Sequence, residues 1–183
     1  MVSRSVGKLC ACLSAYLSRR AVAVGLVGVL VAATGLRLWG LGRESLWLDE
    51  ATSLRLARLP IPTLVRWTAA DIHPPLYYLM LHFWRGLGEG EATLRGLSVV
   101  GGVVGVALAC LLARELFGGW AGLAAGLLLA ASPLHIWYSQ EARGYTWLAA
   151  FSLLATWGLA RLLATLPSPP GGRGRGEGGS PHP

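Results

Sequence analysis

Lysine is almost missing from this chain: Lys8 is the only one among 183 residues, and charged residues of all kinds make up just 14%. So little charge, beside 54% hydrophobic residues and a mean hydropathy of +0.52, excludes an ordinary soluble domain and leaves an integral membrane protein. The net charge of +7 is therefore carried by arginine. Those arginines are scattered through loops and the ends of apolar runs, not gathered on one face, which argues against nucleic acid as a partner. Cysteine is scarce as well. Cys10 and Cys12 lie near the N-terminus and Cys110 inside an apolar run. That odd, dispersed set is no disulfide framework, and no second pair accompanies Cys10 and Cys12 to complete a zinc site.

What the chain does have is length in its apolar runs. Four of them, at 21–41, 93–113, 119–138 and 145–165, reach the roughly 20 residues that a helix needs to cross a bilayer. A fifth, at 76–87, has only 12 residues and contains His82 and Arg85. Its length and its Tyr77, Tyr78, Phe83 and Trp84 suit an interfacial or re-entrant helix instead of a span. The expected fold is thus an all-α integral membrane protein of about four transmembrane helices plus one outer-interface helical loop. Residues 1–20 carry Arg4, Lys8, Arg19 and Arg20 and no acid, which places the N-terminus in the cytoplasm. Residues 42–92 and 139–144 then lie outside, and Trp39, Trp47, Trp137 and Trp147 fall at the outer interface as an aromatic belt. The run at 21–41 is long for a signal-peptide core, and no small-residue cleavage site separates it from Trp39. Gly118, Gly122 and Gly126 form a small-residue stripe suited to close helix packing. Residues 166–183, rich in Pro, Gly and Arg, read as a disordered tail.

Three short motifs carry the chemistry. Leu-Trp-Leu-Asp-Glu-Ala at 46–51 puts Asp49 and Glu50 side by side just beyond the first apolar run, where carboxylates are costly to desolvate. One can serve as a general base while the other holds a partner. The same pair suits the first turn of an amphipathic helix over about 49–59 equally well. His73-Pro74-Pro75 follows, with Asp71 two residues before it; the prolines force an extended approach and then start a helix, fixing the imidazole at its mouth. Glu141 and Arg143 sit in the short second loop beside Tyr138 and Tyr145. Arginine's planar fork suits a phosphate, while an ion pair between the two is the plainer alternative. Arg95, near the outer end of the second span, reads as a snorkelling side chain. The sequence names no cofactor outright; a divalent metal held by Asp49, His73 and Glu141 is possible but the weaker reading, because three scattered ligands make a poor signature.

Taken together, 46–51, the His-Pro-Pro-Leu-Tyr-Tyr run at 73–78 and the Ser-Pro-x-x-Ile-Trp-Tyr-Ser-Gln-Glu-Ala-Arg-x-Tyr run at 132–145 resemble the N-terminal part of bacterial family-39-like glycosyltransferases. These are similar to protein O-mannosyltransferases and to the aminoarabinose transferase of lipid A, which share the GT-C membrane fold. The resemblance covers about residues 20–165, a partial GT-C core. It implies transfer of a sugar from a polyprenyl-phosphate donor to a lipid, glycan or protein acceptor on the extracytoplasmic face of the cell (inner) membrane. It assigns Asp49 as catalytic base or acceptor anchor with Glu50 beside it, and puts His73 against the donor phosphate. Glu141 and Arg143 shape the same cavity, and Tyr77 and Tyr145 complete the expected substrate-binding set. Arg143 or a metal would neutralise the lipid phosphate. Relatives of this kind usually continue through more spans, and the Pro/Gly/Arg tail has the composition of GC-rich DNA read out of frame, so the sequence is expected to be such an enzyme or a truncated N-terminal fragment of one. A non-catalytic membrane module that binds lipid phosphate or a partner subunit is the alternative. A transporter fits poorly, since the spans hold almost no acids at mid-depth.

Overall fold

The computed structural model describes residues 2–70 and 74–166, with side chains from Arg20 onward; His73 and Asp71 lie outside the described residues. Those residues form eight α-helices and no strand: α1 (Val2–Leu38), α2 (Leu48–Ala57), α3 (Ile61–Ala69), α4 (Pro75–Trp84), α5 (Glu91–Phe117), α6 (Gly119–Ala130), α7 (Pro133–Ser139) and α8 (Tyr145–Thr165). A 3-10 turn over Arg85–Leu87 extends α4. Among the described residues three helical segments are each long and apolar enough to cross a membrane, Arg20–Leu38, Glu91–Phe117 and Tyr145–Thr165, and α6 with α7 makes a fourth if that bent pair is one span. The protein is an all-α membrane protein.

α5 is the axis of the bundle and packs against α1, α6, α7 and α8. At membrane depth Ala33, Val106 and Ala130 meet as a small buried cluster from α1, α5 and α6. Close approach of α5 and α6 depends on glycine: a Cβ at Gly122 would lie 2.7 Å from the Cys110 carbonyl oxygen, and one at Gly126 would collide with the Cys110 sulfur. Gly118 has a different use. With φ +96° it makes the turn between α5 and α6, a conformation that L side chains rarely adopt. The opposite surfaces are left to lipid. Val24, Val27 and Val31 form one exposed stripe of α1, and Leu148, Leu159 and Leu162 stay exposed on α8.

The run at 119–138 is two helices bent by 64°, not one straight helix. Pro133 has no N–H to continue the ladder and disfavours helical backbone at Ser132, which is extended (ψ 117°) and accepts the His135 N–H. The break leaves carbonyls of the last turn of α6 without intrahelical donors. Arg37, 0% exposed, fills that need. Its guanidinium donates to the carbonyls of Leu129 and Ala130 (3.3 Å each), to Ala33 O at 2.9 Å and to His135 Nδ1 at 2.8 Å. A cation at a helix C-terminus is also favoured by the helix dipole.

A second core lies at one end of the bundle. α2, α3 and α4 fold over the start of α5, burying Leu54, Leu64, Tyr78, Leu81, Leu94 and Leu97 with Ala142. The short run at 76–87 is thus a cap on α5, too short to span. His82 Nδ1 ties α4 to α2 by donating to Ala57 O at 2.7 Å. α3, which the sequence reading passed over, starts between Pro60 and Pro62, residues tolerated in a first helical turn.

Candidate active site at the bundle end

The two acids of 46–51 have opposite fates. α2 begins after Trp47, so Asp49 and Glu50 occupy its second and third positions and point about 100° apart. Glu50 turns inward and is 1% exposed. It forms a two-pronged ion pair with Arg95, Nε to Oε1 at 2.8 Å and Nη2 to Oε2 at 2.7 Å. Its Oε1 also accepts the Ala142 N–H at 2.8 Å, and Oε2 accepts that of Trp47 at 3.4 Å. Burial is the largest influence on this carboxyl and opposes ionisation. Arg95 and the two backbone donors outweigh it, holding the Glu50 carboxyl below the usual carboxylate range.

Arg95 does not snorkel. It is 5% exposed and also donates to the carbonyls of Leu41 (3.0 Å), Glu44 (2.9 Å) and Ser45 (3.3 Å). One ion pair therefore ties the turn after α1, the start of α2, the start of α5 and the second loop. An arginine one turn into a long apolar helix, with acids in the preceding loop, was the readable signal. The missing information was which acid it meets.

Asp49 turns outward, its side chain 70% exposed, with one carboxylate oxygen 3.6 Å from Arg143 Nη1. Arg143 is largely covered, stacks on the Tyr145 ring (5.6 Å to the centroid) and donates to its hydroxyl at 3.3 Å. Burial disfavours the guanidinium charge, but the Tyr145 hydrogen bond and the Asp49 carboxylate leave its pKa raised. Ser98 of α5 fixes this loop from below: its hydroxyl donates to the Arg143 carbonyl at 2.9 Å and meets the Tyr77 hydroxyl at 3.2 Å. Thr146 donates to Ser98 O at 2.9 Å. Tyr77 is buried, chiefly by which its phenol pKa is raised; its hydroxyl is spent inside the fold and its ring is what faces the neighbouring cavity. Glu141 pairs not with Arg143 but with Trp137, accepting its indole N–H at 2.7 Å.

Arg143 lies at one edge of a cavity of about 200 Å³ between α4 and α8, whose walls are nearly all apolar, including Tyr78, Met80, Trp147 and Phe151. A positively charged head above an apolar groove suits an amphiphile with an anionic head group. A second, more polar cleft of about 250 Å³ lies between residues 40–47 and 137–141. Among the described residues no three His, Cys, Asp or Glu side chains converge as a metal site would need.

Residues 72–166 match the family model described as dolichyl-phosphate-mannose-protein mannosyltransferase, more than half of the chain. The chain belongs to this mannosyltransferase family. Its coarse class is that of a membrane glycosyltransferase of the GT-C type. The matched region starts after Asp49 and Glu50, which join the mannosyltransferase-like part through Arg95, Ala142 and Arg143, all within it. Comparison with curated proteins finds no match, and comparison with solved structures finds none either.

Proposed function

We propose that the protein transfers a sugar from a polyprenyl-phosphate donor to an acceptor hydroxyl at the extracytoplasmic face of the inner membrane, with Asp49 as general base and Arg143 on the donor phosphate. The observation that carries this reading is the Asp49–Arg143 contact at the head of an apolar groove. A lipid phosphate entering the groove takes the guanidinium and releases the Asp49 carboxylate. Asp49 then accepts the proton of the acceptor hydroxyl while that oxygen attacks the anomeric carbon. The bond from that carbon to the phosphate oxygen breaks, its electron pair leaves with the lipid phosphate, and one displacement inverts the anomeric centre. Arg143 stabilises the charge that develops on the leaving group. His73, next in sequence to Pro74, which lines the groove, is proposed as a second contact to the phosphate. Glu50 acts here as the positioning residue that fixes α2, and with it Asp49, against the second loop.

The test is transfer of labelled hexose from a synthetic short-chain polyprenyl-phosphate hexose in membranes containing the protein. Asp49→Asn keeps the shape and removes the base, so turnover falls about 100- to 10,000-fold. Wild-type turnover in that variant removes Asp49 from the mechanism. The absence of transfer by the unaltered protein, with lipid phosphate still bound, leaves the non-catalytic binding module as the better reading.

A further inference from the structure

The polar cleft between residues 40–47 and 137–141 is not used by the donor chemistry above. Its floor is Arg95, whose five N–H donors all have acceptors within the protein: both Glu50 oxygens and the carbonyls of Leu41, Glu44 and Ser45. That guanidinium therefore has no donor left for a ligand anion. The remaining charged residues lining the cleft are Arg43, Glu44 and Glu141, an excess of carboxylate that repels phosphate. Two indoles stand in the same wall, Trp47 at 56% and Trp137 at 60% exposure. The Trp137 ring is fixed by its N–H bond to Glu141 at 2.7 Å. Gln140, also lining the cleft, is held by donation to Arg37 O and Trp39 O at 3.1 and 2.8 Å.

Exposed ring faces beside hydrogen-bonding groups, with two carboxylates against Arg43, whose guanidinium lies over the Trp39 ring (5.7 Å to the centroid), suit a ligand that has an apolar C–H face and many hydroxyls but no negative charge. The cleft is linked to the reacting groups along the chain. Glu141 lines the cleft, Arg143 lines the donor groove, and Ala142 between them holds Glu50; Trp47 lies two residues before Asp49. We infer that this cleft is the acceptor subsite and that it takes a neutral sugar ring against Trp47 and Trp137, with the attacking hydroxyl turned toward Asp49. The inference rests on the transferase reading and adds the acceptor's class to it.

The probe is a methyl hexopyranoside, titrated onto the protein in lipid nanodiscs by saturation-transfer NMR, with short-chain polyprenyl phosphate as a separate ligand. Saturable hexoside binding is expected, weakened about 10-fold, equal to about 1.4 kcal/mol, in both Trp137→Leu and Glu141→Gln. Trp137→Phe keeps a ring face and recovers part of the binding, which separates stacking from loss of fold. Polyprenyl phosphate affinity is unchanged in all three, and it does not compete with the hexoside. No saturable hexoside binding, or wild-type binding in the Trp137 and Glu141 variants, overturns the proposal and leaves these indoles as an interfacial belt. Competition between the two ligands overturns it by placing the sugar in the donor groove. Failure of polyprenyl phosphate to bind, with hexoside binding still dependent on Trp137, instead defeats the transferase reading and leaves the sugar site standing.

Discussion

The Glu50–Arg95 pair offers a quantitative test of how the site is assembled. Removing one partner of a buried ion pair typically costs about 3–5 kcal/mol, because the other charge remains buried and unpaired. Here Arg95→Met strips Glu50 of two charged bonds and leaves it only the Ala142 and Trp47 N–H donors. It also removes the donor to three carbonyls at 41–45. At about 2–4 °C of melting temperature per kcal/mol for a chain of this size, even a 3 kcal/mol loss lowers the midpoint by roughly 6–12 °C. Glu50→Gln keeps the shape and loses the charge, so its cost is smaller. Apolar replacement of a buried pair is often neutral elsewhere, but here Glu50→Leu with Arg95→Met does not restore stability, since the three carbonyls stay without their donor. Cys110, buried between α5 and α6, is a built-in reporter of unfolding to a thiol-reactive dye once Cys10 and Cys12 are changed to serine. The pH profile adds an independent check. The lowered Glu50 pKa contributes stability that is complete above the ordinary carboxylate pKa, near 4.5, and is lost as pH falls through the lower folded value. Glu50→Gln loses that acid limb. A wild-type midpoint in Arg95→Met, or a double-mutant coupling below about 0.5 kcal/mol, would refute the role given to this pair.

Two further outcomes follow from the fold. Arg37→Met leaves the Ala130 carbonyl bare at the α6–α7 break and the Leu129 carbonyl with the Ser132 N–H alone, at about 1–3 kcal/mol for a buried unsatisfied acceptor, and lowers the Cys110 labelling midpoint; an unchanged midpoint means that Pro133 alone sets the bend. For sidedness, cysteines at Thr52 and Glu141, in a background without the native three, should both label with an impermeant thiol reagent in intact cells. Labelling of both only after lysis reverses the proposed orientation, and labelling of just one only after lysis overturns the placement of the two loops on one side.

The helices and their lipid-facing character were legible in the sequence because membrane length and apolar content are local properties. So was the short cap at 76–87, whose 12 residues cannot span. The bend at 131–132 was half legible: Ser132-Pro133 is a readable helix start, but the apolar count across it masks the break, and only tertiary contact shows that Arg37 satisfies the freed carbonyls. Asp49 and Glu50 could not be told apart, being adjacent and chemically alike. Which of them meets Arg95 is set by the way α2 docks on α5, across 45 positions of sequence. Arg95 and Ser98 were missed for the same reason, since their partners lie in loops far away along the chain.

The central claim is that Arg143 heads a lipid-phosphate groove. It is tested most directly by equilibrium binding of a short-chain polyprenyl phosphate to the purified protein in nanodiscs. The account predicts saturable binding that weakens in Arg143→Lys, which keeps the charge but loses the two-pronged geometry, and weakens further, by about 10-fold or more, in Arg143→Ala. Wild-type affinity in Arg143→Ala would contradict it and reduce Arg143 to a structural partner of Asp49 and Tyr145.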